Sequence, residues 1–169
     1  SGVSSQRSAD DAVRLAVELL EALAELHDRK IIHRDVKPSN TMVVPGRGVV
    51  LIDFGTSRTM DGSDLVTQAG FIHGTPHYMA PEVITGHDPT PAADLYAVGV
   101  ILYELMTGRR LYGGADVNEL MLAHVNQPIP DVSALPPAIA ATLESALAKS
   151  PAHRPDSART MIGMLSPDS

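Results

Sequence analysis

The stretch "IIHRDVKPSN", Ile31 to Asn40, decides how this chain is read. Two isoleucines are followed by His33, Arg34, Asp35, Lys37 and Asn40, with Pro38 among them. A proline there excludes an unbroken helix or a central strand, so the segment is a loop. Ionisable and amide side chains are costly to hold together, and a short loop that concentrates them points to chemistry.

The flanks define what carries this loop. Before it, Val13, Val17, Leu20, Leu23 and His27 recur at helical spacing, widened by Ala16, Leu19 and Leu26. Ser8 and Asp11 have capping-box spacing, which predicts a helix over Ser8 to Arg29. After it, "TMVV" (41–44) and "VVLI" (49–52) flank the turn signal "PGRG", the pattern of a small hairpin. Residues 53–80 are rich in Gly, Ser, Thr and Asp and lack periodicity; a stretch of that length inside a compact domain points to function. Helical patterns then cover 92–107, closed by Gly108, and 116–126, 138–149 and 157–165, with prolines at the breaks.

The most apolar run, "LYAVGVILYELM" (95–106), is bounded by Asp94 and carries Glu104. It falls short of the roughly 20 apolar residues of a membrane span and reads as a buried core helix. The expected fold is therefore mainly α: a helical bundle around a buried central helix, with one small β-hairpin beside the polar loop.

Composition limits the functional classes. The chain has 169 residues, 44% hydrophobic and 20% charged, with net charge −7. That length fits one domain burying roughly 70% of its unfolded surface. The acidic balance argues against broad nucleic-acid binding. Cysteine is absent, which removes disulfides and a thiol nucleophile and fits a reducing compartment. The polar start "SGVSSQRSADD" shows no apolar targeting segment. A cytoplasmic location is the expectation.

Three polar clusters converge if the hairpin forms. Asp53, directly after the second strand, returns beside Asn40. A carboxylate and an amide oxygen are hard donors suited to Mg²⁺, which shares its ligands with phosphates. Asp35 is left to take a proton from a hydroxyl, and Lys37 to neutralise a transferring phosphoryl group. His73 and His77 do not share a helical face, because Gly74 and Pro76 intervene, and read as surface residues.

"HRDVKPSN" (33–40), "DFG" (53–55) and "APE" (80–82), in that order, resemble the protein-kinase signature set. "GTPHYMAPE" (74–82) and "SPAHRP" (150–155) strengthen the likeness, which extends from the first helix to the C-terminus. The chain resembles the large C-terminal lobe of a bacterial-type, eukaryotic-like serine/threonine protein kinase. The resemblance implies one domain over 1–169, with a catalytic loop at 33–40 and an activation segment at 53–82. It implies Asp35 as catalytic base, Lys37 on the γ-phosphate of ATP, Asn40 and Asp53 as ligands of one or two Mg²⁺ ions, and Thr75 shaping the acceptor pocket. Met42 matches the residue beneath the adenine ring, with Ile101 and Leu105 continuing an apolar column; all three are expected in the core. His33 and Phe54 match a structural column anchored by Asp94, and Glu82 and Arg154 a buried ion pair. Arg34 and Thr67 match a phosphate-binding arginine and a modifiable threonine; Ala69 takes the place of a second one.

The same likeness shows what the sequence lacks: a G-x-G-x-x-G loop, a strand lysine of the V-A-I-K type and its glutamate partner. These belong to a small N-terminal lobe covering the nucleotide. The expectation is a piece of a longer kinase or a subunit completed by a separate N-lobe, and an apolar face around Met42 and the hairpin that self-associates or docks a partner. Protein substrates are the expected acceptors. The alternative from another class is a non-catalytic kinase-like interaction module.

Overall fold

The computed structural model describes the backbone of residues 2–52, 58–59 and 76–166, and the side chains of 9–52 and 76–166. Its elements run α1 (Gly2–Asp28), β1 (Ile31–Ile32), β2 (Thr41–Val44), β3 (Gly48–Leu51), β4 (Arg58–Thr59), α2 (Pro81–Ile84), α3 (Pro91–Thr107), α4 (Val117–Asn126), α5 (Pro137–Ala146) and α6 (Ala158–Leu165). Single 3-10 turns occur at Pro38–Asn40, Pro76–Tyr78 and Pro151–His153.

The predicted central helix is α3. Pro91 opens it, where a missing N–H costs nothing. Every residue from Ala93 to Tyr103 is buried, because neighbours cover it on several sides: α1 along one, α5 along another, the Pro76–Tyr78 turn near its end. Gly108 terminates it at φ 66°, and its N–H reaches the Glu104 carbonyl at 2.8 Å. That left-handed turn suits a residue without Cβ.

α1 packs on α3, α6 and β3, contributing Ala16, Leu19, Leu20 and Leu23 to the core. It begins at Gly2, not at the predicted Ser8. No proline precedes Pro38, so nothing in the chain compels a break, and Ser8 and Asp11 lie within the helix. Asp116 and Ser157 do act as caps, accepting from the N–H of Glu119 and Thr160. The helix predicted over 138–149 ends at Ala146. Beyond it the backbone turns so that the carbonyls of Ala148 and Lys149 meet Arg154.

The hairpin pairs Thr41 with Leu51, Met42 with Val50, Val43 with Val49 and Val44 with Gly48. Only β3 lies on α1. Met42 and Val43 are consequently 51% and 57% exposed, and Leu105 40%. Of the expected apolar column, Ile101 alone is buried; Met42 is not a core residue because its strand is the outer one of a two-stranded ribbon. β1 pairs antiparallel with β4, Ile31 with Thr59 and Ile32 with Arg58. Two-residue strands carry no periodicity, and the sequence does not announce this pairing.

Candidate active site

The loop after β1 is fixed from below. Asp94, in the first turn of α3, is buried, and its carboxylate accepts the backbone N–H of His33 at 3.0 Å and of Arg34 at 2.9 Å. His27, on α1, donates its Nε2–H to the same carboxylate at 2.8 Å. This combination holds Arg34 at φ 71°, a left-handed conformation that costs a residue with Cβ roughly 1–3 kcal/mol unless its surroundings impose it. One helix thus donates a carboxylate, and a second donates a histidine, to bend one loop.

His33 is completely buried. Its Nδ1 accepts the Asp35 N–H at 3.3 Å, and its Nε2 faces the Ile52 carbonyl at 3.3 Å, an arrangement that requires the Nε2–H tautomer. The Ile52 N–H is in turn bonded to the Asn40 carbonyl at 2.9 Å. Both sides of the Ile52 peptide are therefore tied to the loop, directly before Asp53.

At the loop's mouth, the Asn40 Nδ2 donates to Asp35 twice, to its carbonyl at 2.8 Å and to its Oδ2 at 2.9 Å. Lys37 Nζ lies 3.2 Å from the same Oδ2. The turn Pro38–Asn40 brings these groups together: Asn40 N–H and Thr41 Oγ1 both close onto the Lys37 carbonyl. Asn40 is buried, whereas Asp35 and Lys37 are partly exposed.

The chemistry follows from which atoms are spent. Asp35 uses Oδ2 for its two neighbours, which leaves Oδ1 as an acceptor for a hydroxyl. Asn40 uses its amide N–H groups on Asp35, which turns the amide oxygen into the atom available to a hard cation. Lys37 presents a positive charge beside both. Among the described residues no group of three or more His, Asp or Glu side chains is placed to hold a metal. Asp53, Phe54, Thr67 and Thr75 lie outside the described residues, so Asn40 is the described member of the expected metal pair.

Further along, Glu82 and Arg154 form the predicted pair, with Nη1 to Oε1 at 2.8 Å and Nη2 to Oε2 at 2.7 Å. The guanidinium also donates to the carbonyls of Ala92, Ala148 and Lys149, and it lies 4.9 Å from the Tyr96 ring centroid. All five of its N–H groups are engaged. This joins α2 to the start of α3 and to the turn before α6.

The turn Pro76–Tyr78 has polar anchors the sequence does not reveal. Tyr78 donates its hydroxyl to Glu104 at 2.8 Å, and Arg110 Nη1 bonds both. Burial and the neighbouring carboxylate push the phenol up to about 12. His77, one of the two histidines read as surface residues, is partly exposed, and desolvation, then Arg110, holds its imidazole below the usual range; His73 lies outside the described residues. His27 was also hidden, since it occupies one place in an otherwise apolar stripe. Its signal was a histidine near the helix end, with an aspartate opening an apolar helix elsewhere.

Residues 3–163 match the protein kinase domain family. The chain is 38% identical over 148 residues to a serine/threonine-protein kinase, PknA, of Mycobacterium tuberculosis, covering 85% of this chain and 34% of that protein. It is 40% identical over 159 residues to the serine/threonine-protein kinase pkn3 of Myxococcus xanthus, covering 86% and 29%. A probable serine/threonine-protein kinase, PknB, of Lactococcus lactis is 35% identical over 143 residues, covering 85% and 23%. The chain thus spans about a third or less of the length of these relatives. Members of this family use ATP and Mg²⁺ and act on proteins. With the match running over residues 3–163, nearly the whole chain, and the loop geometry in agreement, the chain belongs to the protein kinase domain family.

Proposed function

We propose that this chain carries the phosphotransfer loop of a serine/threonine protein kinase, moving the γ-phosphoryl group of Mg-ATP to serine or threonine hydroxyls of protein substrates. The observation that carries the reading is the Asp35 carboxylate held by Asn40 at 2.9 Å and Lys37 at 3.2 Å. Asp35 Oδ1 accepts the substrate hydroxyl and takes its proton as the oxygen attacks phosphorus. Lys37 offsets charge on the transferring group. Asn40 through its amide oxygen, with Asp53, would hold Mg²⁺, one ion or two; the bonds from Ile52 to Asn40 and His33, which keep the end of the hairpin beside the loop, support that pairing. Thr75 shapes the acceptor pocket, and Met42 supplies apolar surface beneath the adenine. ATP as donor fits the cytoplasmic side of a cell.

Catalysis of this type is positioning and electrostatics. The sequence carries no glycine-rich phosphate loop, so the reading requires an N-lobe segment, from the same or another polypeptide, to cover the nucleotide. The exposure of Met42 and Val43 favours a second reading, an interaction module that docks a partner or a second copy on the hairpin face. Phosphate transfer from labelled ATP to a generic protein separates them, measured for this chain, for an N-terminally extended form, and for Asp35→Asn in both. Transfer by the extended form, abolished by Asp35→Asn, is expected; silence of the extended form refutes the enzyme.

A further inference from the structure

The end of α4 has a carbonyl that its own helix cannot satisfy. His124 lies in the last turn, where the next helical N–H would come from residue 128, and that residue is proline. Lys149, beyond α5, supplies the missing donor: its Nζ reaches the His124 carbonyl at 2.7 Å. A cation there also meets the negative end of the helix dipole. The same nitrogen lies 2.9 Å from the Tyr112 hydroxyl, which donates its own proton to the Gln127 carbonyl at 3.0 Å. One amine therefore ties the segment after α5 to the end of α4 and to the segment before it.

What this amine lacks is a carboxylate. Lys149 has no ion pair among the described residues. Its charged neighbour is a second cation, Arg154, whose Nη2 donates to the Lys149 carbonyl at 3.1 Å. The chain's other lysines are placed differently: Lys37 is paired with Asp35 at 3.2 Å, and Lys30 is exposed to water. Burial, then the charge on Arg154, pushes the Lys149 amine down to about 8. Once deprotonated, it still gives its two hydrogens to His124 and Tyr112, and its lone pair takes the tetrahedral position that those bonds leave over. Lys149 is only partly buried, so a small reagent can reach it.

We propose that Lys149 is an acylation site: held between α4 and Tyr112 with no carboxylate beside it, its amine takes an acyl group from an acyl phosphate, and the product releases the end of α4. The nitrogen lone pair attacks the carbonyl carbon, a C–N bond forms, and the C–O bond to phosphate breaks. Phosphate leaves with that electron pair and takes the proton lost from nitrogen. Such a donor is small and carries its own leaving group. The amide product is uncharged and keeps one N–H, so it cannot serve both the His124 carbonyl and the Tyr112 hydroxyl. The proposal does not depend on the kinase reading.

Acetyl phosphate, at limiting concentration, tests the first half on the unaltered chain, with acetylation mapped by peptide mass spectrometry. At pH 7 Lys149 is expected to react about tenfold faster than the more exposed Lys30, the larger neutral fraction outweighing the weaker nucleophile. The preference should fade toward pH 10 and disappear in urea. Equal or slower reaction of Lys149 at pH 7, or a preference that survives unfolding, overturns the site. Amide exchange tests the second half at Gln127 N–H, which closes α4 onto the Ala123 carbonyl. Lys149→Gln, uncharged like the acylated side chain, should exchange about fivefold faster there with α1 amides unchanged, while Lys149→Arg should stay near the parent. Unchanged exchange at Gln127 in Lys149→Gln, or an equal acceleration at α1, refutes the release of α4.

Discussion

Neutralising Glu82 is the sharpest test of how the region after residue 75 is anchored. The Arg154 side chain is 0% exposed and that of Glu82 11%. In Glu82→Gln the guanidinium stays buried and charged, with three backbone carbonyls but no counter-charge. An amide offers one acceptor where the carboxylate offered two, and it turns an N–H toward Nη1 or Nη2. Breaking a buried pair from one side costs about 3–5 kcal/mol. The upper half of that range applies only if the site cannot admit water; the three carbonyls and the Tyr96 face moderate the loss, so about 3 kcal/mol is expected. For a domain of this size that lowers the melting midpoint by roughly 6–12 °C. Urea unfolding should show a shifted midpoint with an unchanged slope. Arg154→Met alone should be similarly harmful, because it strands a carboxylate. The double variant should fall well short of the sum, since two apolar or neutral groups remain where a lone charge stood. A Glu82→Gln protein within about 0.5 kcal/mol of the parent, inside the range of ordinary surface changes, would refute the burial argument.

Three other outcomes follow from the same geometry. Asp94→Ala removes the acceptor for His27, His33 N–H and Arg34 N–H at once; a loss of about 3 kcal/mol or more in urea is expected, with faster amide exchange at Arg34. Gly48 sits at φ 77°, and a Cβ there would lie 2.9 Å from Glu18 Oε2, so Gly48→Ala should cost about 1–2 kcal/mol, read from the unfolding midpoint. The third concerns acid. Burial first, then Lys149 and His77, pushes His124 down to about 4 from its ordinary 6.5. The unfolded chain therefore takes a proton that the folded one refuses between those values, and stability is lost as pH falls from 6.5 toward 4. The loss is at most about 3 kcal/mol; Tyr96, Tyr112, Lys149 and His77 are the groups facing the ring, and His124→Phe should flatten that slope in pH-dependent melting.

The periodic parts of the fold were legible because periodicity reports burial. α3 shows it best: an almost unbroken apolar run from Leu95 predicts a helix covered on all sides, and the structure covers it. The hairpin was legible for another reason, a turn signal between two β-rich runs, although its second strand runs Gly48–Leu51, one residue earlier than the run at 49–52. What failed was local. Ser8 looked like a cap but lies inside α1, since capping chemistry permits a start without enforcing one. Met42 looked like core because the sequence does not say which strand of a ribbon is covered. The β1–β4 pair is two residues long and leaves no pattern at all.

The site divides along the same physical line. Asp35, Lys37 and Asn40 were legible because they are close in sequence, and a proline-bearing turn can only bring such neighbours together. Of their supports, Asp94 was legible through the family likeness, whereas His27 and Ile52 were not, because they reach the loop from separate elements and each looks ordinary in its own context. Yet these supports determine what the loop can do. Arg34 adopts a left-handed backbone that the free chain would avoid, and it is held there by one buried carboxylate on the central helix. The same carboxylate orders His33, whose ring then fixes the Asp35 N–H and faces the Ile52 carbonyl. A single acidic side chain therefore sets both walls of the mouth. Because that carboxylate sits on the buried helix α3, the loop's backbone is tied directly to the core, and it costs α3 only one buried acidic residue, compensated by three donors.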